Sequence, residues 1–169
     1  MAYKLAVLAA ALFALASCAL PTLYQPAGGN GYGYAQQQLE ANRFRVSFTG
    51  NDLTAREAVE NYLFYRAAEI TLANGGDYFV ITHRDTEART RYDSGFDTAY
   101  GYGPWGPWNR HSAFVGVSSA TPITQYRAYA DIVIYAGRKP AGDANAYDAR
   151  DVMARLAPTV IRPAPPKGF

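Results

Sequence analysis

The chain has 169 residues, with sixteen Lys and Arg against fourteen Asp and Glu, 49% apolar side chains and one cysteine. Charges this evenly balanced exclude the concentrated basic face that nucleic-acid binding demands. A single cysteine excludes an internal disulfide, so the fold must hold by packing. The length fits one domain, and tyrosine is over-used at fourteen residues.

In chain order, residues 1–17 read as an export signal, with Lys4 as their only charge and an unbroken apolar run over residues 5–16. Twelve residues are too few to span a bilayer, which needs roughly twenty, but they suit a signal-peptide apolar segment behind a short positive start. The run closes with Leu15-Ala16-Ser17-Cys18, which resembles the lipobox of bacterial lipoproteins. That resemblance implies cleavage before Cys18 and acylation of the new terminus, with chains such as palmitate. It also removes the difficulty of a lone thiol in an exported chain. One acyl chain anchors only marginally, and lipoproteins typically carry three. Ala19 follows the cysteine where an Asp is the usual inner-membrane signal, so the resemblance implies an outer-membrane address.

Residues 18–41 read as a flexible tether, with Pro21, Pro26 and a glycine–tyrosine run at 28–34. Residues 43–49 alternate, with Phe44, Val46 and Phe48 on one face, and predict a half-buried strand. Thr54 stands three residues before Glu57, the spacing of a capping box, and predicts a helix over 55–73 that stops at Asn74-Gly75-Gly76. Residues 77–90 and 122–135 predict two more strands, paired as an antiparallel hairpin. Asn145 is placed to cap a last helix through Leu156, and residues 159–169 form a Pro-rich tail.

The expected fold is therefore α+β: a small mixed sheet of three or four strands, in the order strand–helix–strand–strand–helix, with helices on one face. The first strand–helix–strand unit favours a parallel pair with a right-handed crossover. The folded domain spans 42–158 and includes an aromatic, glycine-rich loop over 92–117. Arg45-Val46-Ser47-Phe48-Thr49-Gly50-Asn51, Tyr62 to Glu69 and Asp77-Tyr78-Phe79-Val80-Ile81, together with the lipobox, resemble a family of small uncharacterised alphaproteobacterial lipoproteins. The resemblance implies a location and brings no activity or catalytic residues.

Catalytic constellations are sparse. There is no Gly-x-Ser-x-Gly elbow and no phosphate-cradling Gly-Lys-Ser/Thr loop. His83 and Asp85 share a strand face but make only two metal ligands without a third, and His111 lies in the aromatic loop. No catalytic residue, metal or cofactor is expected. On the helix, Ala55, Val59, Tyr62, Ile70 and Ala73 cluster on one side, with Arg66 inside that cluster and Glu69 at its edge. Glu57, Glu60 and Thr71 fall opposite, toward solvent. Arg66 and Glu69 are spaced to touch, as a structural ion pair or as a charged pocket for a small ligand. In the loop, Tyr100, Tyr102, Trp105 and Trp108 sit among glycines, a pattern that fits a contact for an envelope protein or glycan. The sequence reads as a non-enzymatic, lipid-anchored envelope module of the periplasmic side, held to the membrane through Cys18. The alternative is a small-ligand carrier or sensor that binds near Arg66 and Glu69.

Overall fold

A computed structural model describes residues 20–93 and 121–165. Alternation of Phe44, Val46 and Phe48 does build a strand, but it is the second of five. The elements are β1 (Gly33–Glu40), β2 (Arg43–Thr49), α1 (Arg56–Ala73), β3 (Tyr78–Asp93), β4 (Thr121–Tyr135), β5 (Ala146–Asp148) and α2 (Ala149–Leu156). A 3-10 turn, Ala157–Thr159, follows α2 directly.

The expected sheet of three or four strands in the order strand–helix–strand–strand–helix is overturned. The described strands form one five-stranded sheet, ordered β1-β2-β4-β3-β5, and every neighbouring pair is antiparallel. The α1 crossover does return β3 in the same direction as β2, but the two are not neighbours. β4 folds back on β3 and fills the gap, pairing Phe44 with Ile132 on one side and Ile81 with Ile132 on the other. Ala128, Ala130, Ile132 and Ile134 on this central strand are all buried in the core. That apolar content favours the middle of the sheet, where both edges are paired.

The stretch expected to be a flexible tether is also different. Thr22 and Tyr24 are buried, and residues 33–40 pair with β2 along its whole length. Gly33 makes the entry possible. Its φ is +121°, and a Cβ there would run into the Gln25 carbonyl and approach Ala27 N to 2.9 Å. Only glycine combines that backbone with that clearance.

The predicted capping box is absent because its hydroxyl is already engaged. Thr54 Oγ1 accepts from Thr22 N at 2.8 Å and donates to Asn51 Oδ1 at 2.6 Å, so Ala55 stands at the N-cap without a side-chain bond. The cap of α2 is Asp148, three residues after the expected Asn145. Its carboxylate accepts from the backbone N–H groups of Arg150 and Asp151 at 2.9 and 3.0 Å. Asn145 instead offers its carbonyl to Ile81 N.

Helix α1 is buried over more of its circumference than the single face expected from its sequence. Val59, Leu63, Ala67 and Ile70 are buried, but so are Tyr65 and Thr71, whereas Ala55 and Ala73 are exposed. Thr71 satisfies its hydroxyl by donating to the Ala67 carbonyl at 2.8 Å. A single stripe against a sheet would leave it wet. Here the helix also meets α2 and the segments around Tyr24 and Ile161, which cover its flanks. The Pro-rich tail is correspondingly ordered at its start: the Ile161 carbonyl accepts from Tyr24 N at 2.8 Å, and Ile161 N donates to the Tyr62 hydroxyl at 3.2 Å.

Candidate functional site

Cys18, Tyr100, Tyr102, Trp105, Trp108 and His111 lie outside the described residues. Of the expected site residues, the structure therefore places Arg66, Glu69, His83 and Asp85.

Arg66 and Glu69 do meet, one turn apart on α1, with Nη1 to Oε2 at 2.7 Å and both side chains about one-fifth exposed. Their surroundings come from segments far away in sequence. Arg66 also donates to Gln36 Oε1 on β1, from Nε at 3.0 Å and Nη2 at 2.7 Å, and its guanidinium stacks 4.1 Å from the Tyr34 ring centroid. Glu69 accepts the hydroxyl of Tyr24 on one oxygen and Arg162 Nη2, at 2.7 Å, on the other. Tyr24 in turn packs edge-on against Tyr62 and Tyr65, with centroids 5.6 and 5.2 Å away.

The electrostatics follow from this geometry. Burial, then the Glu69 carboxylate that accepts its proton, push the Tyr24 hydroxyl well above the ordinary tyrosine range. Burial is the largest single influence on Arg66 and works against its charge, yet the bond to Glu69 together with the Tyr24 and Tyr34 hydroxyls outweighs it and holds the guanidinium more firmly protonated. Two arginines, a carboxylate, an amide and a hydroxyl thus satisfy one another. The cluster fastens the segments around Tyr24 and Arg162 to α1, and its polar groups are turned toward each other.

His83 is exposed on the sheet face away from the helices, 3.4 Å from the Tyr129 hydroxyl. Asp85 follows on the same face, and among the described residues no three His, Cys, Asp or Glu side chains gather as a metal site. On this face Arg45 clasps Asp131 across β2 and β4, at 2.7 and 2.8 Å, and holds that carboxyl below its usual range.

The more open feature is a cleft of about 400 Å³ on the same helix-free face. Gly33, Ala35, Ser47 and Thr49 are small, and they leave space above β1 and β2. Asn30 and Tyr32, from the turn before β1, close one end. Glu87 and Arg89 rise from β3, and Gln125 and Arg127 from β4. Gln125 Nε2 donates to the Tyr32 hydroxyl at 2.9 Å, tying the turn to β4. None of the ion pairs among the described residues uses Glu87, Arg89 or Arg127. The cleft therefore presents two guanidiniums and one carboxylate beside amide and hydroxyl groups.

Sequence reasoning did not find this cleft. Its residues come from four strands and a turn, and the only local signal is the alternation that sets Glu87 and Arg89 opposite the core-facing positions. Among the described residues no helix is long and apolar enough to cross a membrane. No family model, curated protein or solved structure matches the chain.

Proposed function

We propose that the chain is a lipid-anchored module of a bacterial envelope that binds a carboxylated sugar of an envelope glycan in the cleft between Tyr32 and Arg127. The anchoring rests on Leu15-Ala16-Ser17-Cys18. The binding role rests on the cleft, whose volume of about 400 Å³ falls in the usual range for small-molecule sites. Arg89 and Arg127 suit a carboxylate, which guanidinium groups bind with paired, charge-assisted hydrogen bonds. Asn30, Gln125, Ser47 and Thr49 offer the amide and hydroxyl partners that sugar hydroxyls require. The Tyr32 ring adds an aromatic surface at the mouth. Arg66 and Glu69 serve a ligand less well, because each is engaged by side chains of its own chain.

Calorimetric titration with N-acetylmuramic acid, a carboxylated amino sugar, tests the binding role. Saturable binding is expected, with Arg127→Gln abolishing it while the melting temperature stays put. No binding by the wild-type chain, or binding indifferent to Arg127, removes the cleft from the reading. Anchoring is tested separately by labelling cells with palmitate: the wild-type chain should take up label and the Cys18→Ser chain should not.

A further inference from the structure

The outer half of β3 has a neighbour on one side only. Its register with β4 shifts by one residue between Ile81 and His83, and β5 covers no more of it than Tyr78, Phe79 and Val80. From Arg84 to Tyr92 the other edge meets no strand among the described residues, and all but the half-buried Thr86 are exposed.

Which backbone groups face that open edge follows from the ladder. Ile134 N donates to the Asn42 carbonyl and Gly50 N to the Tyr126 carbonyl, so the even-numbered residues of β4 turn toward β2. The odd-numbered ones turn toward β3, where Asp131, Tyr129, Arg127, Gln125 and Ile123 stand opposite His83 and each second residue up to Arg91. The residues in between, Arg84, Thr86, Ala88, Thr90 and Tyr92, direct their N–H and C=O groups outward. Thr86 N donates to its neighbour's carboxylate, Asp85 Oδ1, at 2.7 Å, a bond that an incoming strand must replace. No hydrogen bond among the described residues uses the other outward groups, and a row this long is a template for another strand unless its side chains forbid pairing.

Here the side chains forbid most pairings and favour one. We propose that this edge joins the same edge of a second copy of the chain, antiparallel, about a two-fold axis through Ala88. In that register Asp85 faces Arg91 of the second copy, and Glu87 faces Arg89, each contact occurring twice by symmetry. Thr86 faces Thr90, Arg84 faces Tyr92, and Ala88 faces itself. The outward backbone groups meet as hydrogen-bonded pairs, while the charged pairs fall at the non-hydrogen-bonded positions, where Cα atoms come within about 4.5 Å. Adjacent in-phase registers fail: one sets Glu87 on Glu87, the other Arg89 on Arg89. An odd shift would turn outward-facing backbone groups onto inward-facing ones. The charge pattern from Arg84 to Tyr92 is thus self-complementary, which identifies the occupant as a second copy. The pairing would double the five-stranded sheet.

The pairing shares Glu87 and Arg89 with the cleft, so its test variants are placed on Asp85 and Arg91, which do not line the cleft and face neutral Tyr129 and Ile123 across the hairpin. Its test is the mass of the full chain in mild detergent by sedimentation equilibrium, across a dilution series. A monomer–dimer equilibrium is expected. Asp85→Arg or Arg91→Asp alone turns two attractions into repulsions, so dimer affinity should fall roughly tenfold or more. Combining them should restore it. A wild-type monomer at every concentration overturns the proposal, as does a dimer indifferent to the single reversals or a double reversal that does not recover. Oxidative cross-linking supplies an independent readout. Ala88→Cys should cross-link copy to copy, since hydrogen-bonded pairs about 5.5 Å apart lie within disulfide reach. Thr90→Cys, facing Thr86, should not. If Ala88→Cys stays uncross-linked, or both positions link equally, the edge serves some other strand and the two-fold pairing is wrong.

Discussion

At its base, β3 sends Phe79 and Ile81 inward beneath α1, opposite Ile134 and Ile132; in its outer half, from Arg84 to Tyr92, every side chain but the half-buried Thr86 is exposed. The same two strands thus carry two kinds of side chain. Where burial is available, alternation is strict and apolar, and stability comes from the area removed from water. Beyond the shift at Thr82 the core continues only on β4, through Ala130 and Ala128 opposite Arg84 and Thr86; past them what remains is the hydrogen-bonded ladder with charged and hydroxyl pairs across it. The lesson is that strand length and core length are separate quantities. β3 and β4 extend well past the Arg127–Thr49 pair, the last that β2 makes, because their backbones satisfy each other without help from the core.

The comparison breaks if the base does not dominate stability. Ile132 is fully buried at the centre of the sheet. Ile132→Ala should cost about 3–4 kcal/mol, the transfer loss plus the cavity left between Phe44 and Ile81. Chemical denaturation reads this directly. A cost below about 1 kcal/mol would mean that β4 is not the keystone of the core.

The polar cluster on α1 gives the next effect. Glu69→Leu removes the acceptor of Tyr24, Arg66 and Arg162 together and should cost about 2–3 kcal/mol. Arg66→Leu should cost less, about 1–2 kcal/mol, because Glu69 keeps Tyr24 and Arg162. Equal costs for the two variants would show that Arg162, more than half exposed, contributes nothing to holding Glu69.

These variants also mark what was legible in the sequence. The Arg66–Glu69 contact could be read from spacing, since both lie on one helix. Gln36, Tyr24 and Arg162 could not, because they reach the pair only through the fold. The strands at Arg43–Thr49, Tyr78–Asp93 and Thr121–Tyr135 announce themselves by alternation or apolar runs. β1 does not: from Ala35 to Glu40 every residue is exposed, so no burial pattern marks an edge strand made of Gln and Ala. Its glycine-rich approach, read as a tether, is instead the turn that Gly33 permits. The insertion of β4 between β2 and β3 is equally invisible locally, because pairing partners are chosen across the chain. The cleft inherits that difficulty, since it exists only once four strands lie side by side.

Tyr24 supplies a weaker, pH-dependent effect. Its folded pKa is raised above the ordinary value of 10.0, first by burial and then by Glu69. A group with a raised folded pKa contributes stability that is fully present below its unfolded pKa and is lost as pH rises beyond it. From about pH 10 upward the unfolded chain releases this proton while the folded one holds it. Each further pH unit should therefore remove up to about 1.4 kcal/mol. Thermal melts between neutral and strongly alkaline pH should fall more steeply for the wild type than for Tyr24→Phe. Parallel curves would place the Tyr24 hydroxyl in water.

The smallest expected effect comes from the arm, and it sharpens the comparison most. Thr90 and Thr124 stand opposite each other on β3 and β4, with their hydroxyl oxygens 2.9 Å apart and exposed. Their bond competes with water at no desolvation penalty, and cross-strand pairs of this kind contribute about 0.2–1 kcal/mol. Thr90→Ala should therefore lower stability by about 0.5 kcal/mol or less, several times below the effect of Ile132→Ala on the same hairpin. The ladder itself should survive, because Thr90 turns its backbone groups to the open edge and Thr124 turns its own away from β3. Paired denaturation curves for the two variants, with hydrogen exchange across residues 84–92, separate the possibilities. Equal losses would mean that the arm folds as part of the core; a small loss with unchanged exchange protection shows a ribbon held by its backbone alone.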